Sequence, residues 1–171
     1  MTILDSMLKD RIPVDWSTIL RGWHGPAKYG PQLSIADIAS YAGNLISTNP
    51  EQPPCVLKLA GARDDESEMV ESCLRELAAQ EEADQEIGLR KWRLYLLKEI
   101  EPTLSRDPLY GLLGLTEFWE KFDYPDDSPH VVQGRGNHQS PQEYYTDENF
   151  RRLRTQHQEW MKNEEAFLKQ Q

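Results

Sequence analysis

Apolar residues recur along this chain at spacings of three and four, and no segment alternates apolar with polar positions over the length of a strand. Trp16, Ile19, Leu20 and Trp23 share one face of a short helix, opened by Asp15, whose carboxylate can accept the free amides of a first turn. Gly22, Gly25, Pro26, Gly30 and Pro31 prevent that helix from continuing, and the rest of the first 30 residues reads as irregular. A second helix begins after Ser34, with Asp37 three residues on completing a short capping box. Ile35, Ile38, Ala39, Ala42, Leu45 and Ile46 carry its apolar face to about Ser47. Residues 48–54 form a proline-rich turn. Cys55 to Ala60 is an apolar run too short for spacing to decide between strand and helix, and Gly61 ends it.

Met69, Val70, Cys73, Leu74, Leu77 and Ala78 then form pairs four apart on one helical stripe, with most of the neighbouring acids elsewhere. The next helix runs from about Ile87 to Ile100, with Leu89, Trp92, Leu96, Leu97 and Ile100 inward, and Pro102 stops it. Asp107 and Pro108 open another, whose Leu109, Leu112, Leu113, Leu115, Phe118, Trp119 and Phe122 make it the most apolar segment. Residues 123–142 read as a long loop. The last helix extends from near Thr146 to about Leu168, with Phe150, Leu153, His157, Trp160, Met161, Phe167 and Leu168 at heptad-like spacing. The pattern predicts an all-α single domain over 1–171, with about six helices and a long ordered loop before the C-terminal helix.

Charge adds a location to this picture. The chain carries 19 Lys+Arg against 29 Asp+Glu, a net charge of -10 in 171 residues. Ten of the acids and only Arg75 of the bases lie between Asp64 and Glu86, so nearly the whole surplus belongs to one helix and the turn after it. An acidic chain is repelled by phosphate backbones and anionic lipid, which argues against nucleic-acid or membrane-surface binding and favours a basic protein partner. No stretch approaches the ~20 apolar residues of a membrane span and the N-terminus lacks leader features, so a cytoplasmic protein is expected. Asp64, Asp65 and Glu66 suit the start of a helix, where the dipole favours negative charge. Glu81, Glu82, Asp84 and Glu86 lie at or beyond its end and have no such reason.

Little in the chain suggests catalysis. His24, His130, His138 and His157 and the two cysteines fall in no metal-ligand spacing, so neither a metal site nor a cofactor is expected. No Gly-x-Ser-x-Gly is present, and Cys73 lies between Glu71 and Glu76, where negative charge disfavours a thiolate. Cys55 and Cys73 are read as structural thiols and no catalytic residue is assigned. Gly134-Arg-Gly-Asn137 is either a turn needing positive φ or a tight loop presenting amides to an anion. The loop around it has apolar anchors (Phe122, Tyr124, Val131, Val132, Tyr144, Tyr145) and polar groups (Asp127, Ser128, His130, Gln133, Arg135, Asn137). That mixture predicts a strap fixed on the helices rather than a disordered linker.

Within this loop, Phe122-Asp-Tyr-Pro-Asp-Asp-Ser-Pro-His-Val-Val-Gln-Gly-Arg-Gly-Asn137, followed by Pro141-Gln-Glu-Tyr-Tyr-Thr-Asp-Glu-Asn-Phe150 and by His157-x-x-Trp160, resembles the C-terminal signature of an uncharacterised bacterial family of small proteins. Val14-Asp-Trp-Ser-Thr-Ile-Leu-Arg-Gly22 and Leu33-Ser-Ile-Ala-Asp-Ile-Ala39 extend the resemblance more loosely. It implies no activity and carries over no catalytic residue. Families of this kind are suspected to be immunity proteins of bacterial toxin systems.

These features support three expectations. The first is an immunity-type binding protein that covers a basic toxin surface through Glu68, Glu71, Glu76, Glu81, Glu82 and Asp84; the same acids could instead form a solvated face neutralised by Arg90, Lys91 and Arg93. The second is a small enzyme or ligand-binding module using the 123–145 loop, with His130, Gln133, Arg135 and Asn137 as its polar groups. The third is a helical adaptor that pairs through Trp160 and Phe167.

Overall fold

The computed structural model describes residues 1–171 as nine α-helices with no strand. The chain divides into two compact units, residues 1–95 and 96–171. The first contains α1 (Ile3–Lys9), α2 (Trp16–His24), α3 (Ile35–Thr48), α4 (Pro54–Ala60), α5 (Ser67–Gln80) and most of α6 (Gln85–Ile100). The second contains the end of α6, a 3-10 turn at Glu101–Thr103, α7 (Pro108–Lys121), α8 (Pro141–Tyr144) and α9 (Asp147–Leu168).

The long helices start where local chemistry directs. Asp15 caps α2 through the Thr18 amide at 2.7 Å, and Ser34 and Asp37 close a reciprocal capping box on α3. Asp107 caps α7 ahead of Pro108, and Thr146 caps α9. The six-helix expectation is corrected by three short elements, α1, α4 and α8, none longer than seven residues. Seven residues make two turns, too few for apolar spacing to register, yet two of the three carry a legible start. Thr2 with Asp5 and Ser140 with Glu143 are both capping boxes. The undecided Cys55–Ala60 run is α4, with Pro54 at its first position, where a missing amide hydrogen costs nothing.

In the first unit, α3 packs on α4 and α1, and α5 packs on α2 and α4. Leu4, Met7, Ile19, Ile38, Leu59, Leu74 and Trp92 are fully buried there. The stripe read on α5 faces inward: Val70, Cys73, Leu74 and Leu77 are buried, with Met69 and Ala78 half-buried at its edges. On α6 the inward face is wider than the spacing indicates. Trp92, Leu96 and Leu97 are buried, and so are Leu94, Tyr95, Lys91 and Arg93. In the second unit α7 packs on α9 around Leu112, Leu115, Phe118, Trp119, Phe150 and Leu153, while Leu109 and Leu113, expected inside, are exposed. No helix is long and apolar enough to cross a membrane.

Candidate functional site

The six acids singled out in the sequence divide into two kinds. Glu81 reaches back 65 residues to the start of α2, where Oε1 accepts the Trp16 amide at 3.0 Å and Oε2 the Ser17 amide at 3.1 Å. These are two of the amides that a helix leaves without internal partners. With Asp15 accepting the Thr18 amide, α2 is capped by two carboxylates from distant parts of the chain. Lys91 completes the arrangement: it is 3% exposed, and its ammonium pairs with Asp15. It therefore answers the α2 cap, pairing with Asp15 directly, and within the acidic segment its charge acts on Glu81. Partial burial opposes the Asp15 carboxylate, but Lys91 and Thr18 outweigh it and hold its pKa below the ordinary value. At Glu81 the balance is reversed, and burial leaves its pKa raised despite the two amides. Replacing Glu81 with Ala should lower stability by ~1 kcal/mol, the usual cost of a lost cap. Urea denaturation would register it, and an unchanged midpoint would show that water replaces the carboxylate without loss.

Glu71 is the second structural acid. Its carboxylate accepts the Trp23 indole hydrogen at 2.8 Å, contacts His24 Nε2 at 2.8 Å and pairs with Arg75 one turn along α5. It pins the C-terminal end of α2 to α5 as Glu81 pins the other end. Burial acts against it, yet His24, Arg75 and Trp23 together keep its pKa lowered. Glu68, Glu76, Glu82 and Asp84 are different, with exposed side chains and no ion pair inside the chain. Asp84 also accepts the Glu86 amide at 2.8 Å as α6 begins. Arg75 is exposed as well, on the same outer side of α5 as Glu68 and Glu76, so the acidic face is interrupted by a cation. Beside it, a cleft of about 480 Å³ opens between α2 and α5.

The 123–140 segment is a strap tied down by its own polar groups. Gln133 donates to the Gln139 carbonyl at 2.9 Å. Asn137 donates to the carbonyls of Val132 and Arg135 and accepts the amides of Gly134 and Gln139. Arg135 lies over the Tyr124 ring at 4.3 Å, and the Tyr144 hydroxyl donates to the Val131 carbonyl at 2.5 Å. Both Gly134 and Gly136 have positive φ with open space around them, so conformation rather than crowding asks for glycine. Asp123 and Tyr124 have positive φ without being glycine, and turn the chain sharply out of α7. Of the four polar residues read as a possible ligand set, Gln133 and Asn137 have backbone partners, Arg135 is stacked, and His130 is buried.

His130 of the strap and His157 of α9 form a buried pair of imidazoles, of which the helical spacing indicates only His157. His157 is fully buried, with Nδ1 donating to the Leu153 carbonyl at 2.6 Å and Nε2 accepting the Trp119 indole hydrogen at 2.8 Å. An indole nitrogen only donates, so this geometry fixes the neutral tautomer. His130 Nε2 sits 2.8 Å from Thr116 Oγ1, its Nδ1 is buried without a partner, and the two rings are 5.5 Å apart. Burial drives the pKa of His130 down to about 3 and that of His157 to about 4. Trp160 is half-buried, edge-on to Trp119 at 5.3 Å.

Cys55 and Cys73 are both buried free thiols, and burial pushes the Cys55 pKa well up, away from the thiolate. No group of three or more His, Cys, Asp or Glu is placed to hold a metal ion. No curated protein matches the sequence and no solved structure matches the fold. A family model described as an uncharacterised protein conserved in bacteria does match, over residues 4–165, almost the entire length of both units. The chain belongs to that uncharacterised bacterial family, DUF2247.

Proposed function

We propose that this protein acts by binding: it covers a basic surface of a protein partner, as an immunity protein covers a toxin, through Glu68, Glu76, Glu82 and Asp84. The observation that supports this reading is the division of labour among the acids. Glu71 and Glu81 hold α2 in place, and the other four project from a fixed helix and its following turn without an ion pair of their own. Fixed carboxylates favour a basic partner in two ways. They raise the encounter rate, toward ~10^8 to 10^9 M⁻¹s⁻¹ at low salt, and they need no rearrangement to meet cations on contact. Toxins that act on nucleic acid are basic around the substrate groove, which makes such a groove the natural target.

The test is co-expression with the product of the adjacent reading frame, followed by stopped-flow association kinetics on the purified pair. Glu68→Lys, Glu76→Lys and Asp84→Lys combined should lower the association rate by ~10-fold or more at low salt and flatten its salt dependence. Protection from toxicity should be lost in parallel. Glu82 is left in place because it also lines the α2–α5 cleft. A triple variant that associates at the original rate, with the original salt slope, overturns the proposed face.

A further inference from the structure

The cleft between α2 and α5 is formed by one face of each helix. Ser17, Leu20, Arg21 and His24 recur at three, four and seven along α2, and Arg75, Ala78, Ala79 and Glu82 do the same along α5 and its end. The two helices run antiparallel here, since Glu71 meets Trp23 and His24 while Glu81 meets Trp16 and Ser17. The antiparallel order sorts the charges along the cleft. Arg21, His24 and Arg75 gather at one end, whereas Glu82 lies at the other, beside Ser17. Between them Leu20, Ala78 and Ala79 give an apolar floor, and alanine at two successive positions leaves the volume open.

Glu71 holds His24 and part of Arg75 at the basic end, so the groups that remain for an occupant are Arg21, the rest of Arg75 and Glu82. Arg21 has no ion-pair partner in the chain, and Arg75 meets Glu71 through Nε, which leaves the rest of its guanidinium fork for a second carboxylate. Glu82 also has no ion pair, and it adopts φ 50, a left-handed conformation disfavoured for a side chain other than glycine or asparagine. A simple anion would satisfy the Arg21 end and leave Glu82 unanswered. A simple cation would meet two guanidinium groups. An occupant with a carboxylate at one end, an apolar stem and a cation at the other answers all three parts of the cleft.

We propose that this cleft binds an ω-ammonium carboxylate, the chemistry shared by a C-terminal lysine of a peptide and a free ω-amino acid. Arg21 and Arg75 receive the carboxylate, the methylene stem lies on Leu20, Ala78 and Ala79, and the ammonium reaches Glu82. The span fits: the helical rise from Arg75 to Gln80 covers ~8 Å and Glu82 lies in the turn just beyond, against ~7 Å between carboxylate and ammonium in a lysine. An α-ammonium next to the carboxylate would lie beside the guanidinium groups, so an acylated α-nitrogen is preferred over a free one. This inference does not rest on the basic-partner reading.

The probes are Nα-acetyl-lysine, 6-aminohexanoate and free lysine, titrated into the isotope-labelled full chain while the amides of Leu20, Ala79 and Ala83 are followed by NMR. The first two should produce saturable shifts, and free lysine should bind more weakly. Nα-acetyl-lysinamide, which lacks the carboxylate, and Nα-acetyl-norleucine, which lacks the terminal ammonium, should each bind ~10-fold more weakly than Nα-acetyl-lysine. Arg21→Gln should weaken Nα-acetyl-lysine ~10-fold and leave the amide analogue unchanged, and Glu82→Gln should do the same with the norleucine analogue unchanged. Circular dichroism confirms that both variants are folded. A peptide ending in lysine that binds more tightly than 6-aminohexanoate assigns the source as a protein C-terminus, and the reverse order assigns a free ω-amino acid. No saturable shift with any probe, or losses that are equal for all probes in either variant, overturns the proposal.

Discussion

Lowering the pH from 7 to 5 should destabilise the second unit by ~4 kcal/mol, about 2 kcal/mol from each of His130 and His157. The sign follows from proton uptake. In the unfolded chain both imidazoles titrate near 6.5, whereas in the native unit their values fall to about 3 and about 4. Between 6.5 and these native values the unfolded state binds more protons, so stability rises with pH through this window. It is fully present above 6.5 and is lost progressively as the pH falls toward the native values. At pH 5 both native imidazoles are still neutral, so the loss there is governed by the unfolded chain alone. Carboxylates held low, such as Asp15 and Glu71, respond only at more acidic pH, and Glu81, whose raised value acts in the opposite sense, belongs to the first unit.

Local geometry explains why the native unit resists protonation. A proton on His157 Nε2 would set two donors head to head with the Trp119 indole. One on His130 Nδ1 would bury an N–H with no acceptor. Urea denaturation at pH 7 and pH 5 measures the effect. His157→Gln can still offer an acceptor to Trp119 and cannot gain the proton, so the difference between the two pH values should fall by about half. Equal stability at both pH values in the original protein would show that the imidazoles charge without opening the unit.

The parts of the fold legible in the sequence are those set within one or two turns of chain. Asp15, Ser34, Asp107 and Thr146 each accept an amide two or three residues ahead, so residue type and position suffice to start a helix. The stripe on α5 is equally local. Glu71 and Glu81 belong to the same acidic run as Glu68 and Glu82, and nothing in the run separates the pair that caps and pins α2 from those left at the surface. That separation depends on partners 48 and 65 residues away. Lys91 illustrates the same limit. Its position beside acidic sequence suggests neutralisation of that segment, but tertiary packing carries it into the interior beside Asp15, 76 residues distant. The cleft also escapes a reading that looks for apolar faces, because its lining is small residues and charges, and neither half has meaning until α2 and α5 lie antiparallel.

Gly22→Ala should destabilise the first unit by ~3 kcal/mol, although helix propensity alone argues the other way. Gly22 lies inside α2, where alanine is normally favoured by ~1 kcal/mol over glycine. A Cβ there, however, would stand 2.1 Å from Trp92 Cζ2, 2.8 Å from Trp92 Cε2 and 3.0 Å from Leu33 Cδ1. The first of these is far inside van der Waals contact, so the ring must move. Trp92 has little room, being fully buried and edge-on to Tyr95, with its indole hydrogen donated to the Thr18 carbonyl at 2.7 Å. Displacing it combines overpacking, which costs ~1 to 3 kcal/mol and occasionally more, with loss of a buried hydrogen bond at ~1 kcal/mol or more. Those costs exceed the propensity gain. Gly43 supplies the control, since it lies inside α3 with nothing within 4 Å of its Cβ position. Gly43→Ala should therefore stabilise by ~0.5 to 1 kcal/mol, showing the propensity term by itself. Trp92→Phe removes the part of the ring that meets the new methyl, so in a double-mutant cycle Gly22→Ala should cost much less on that background. If Gly22→Ala and Gly43→Ala change the urea midpoint in the same direction, the close approach of α2 to Trp92 does not constrain the unit, and α2 is free to shift away from the ring.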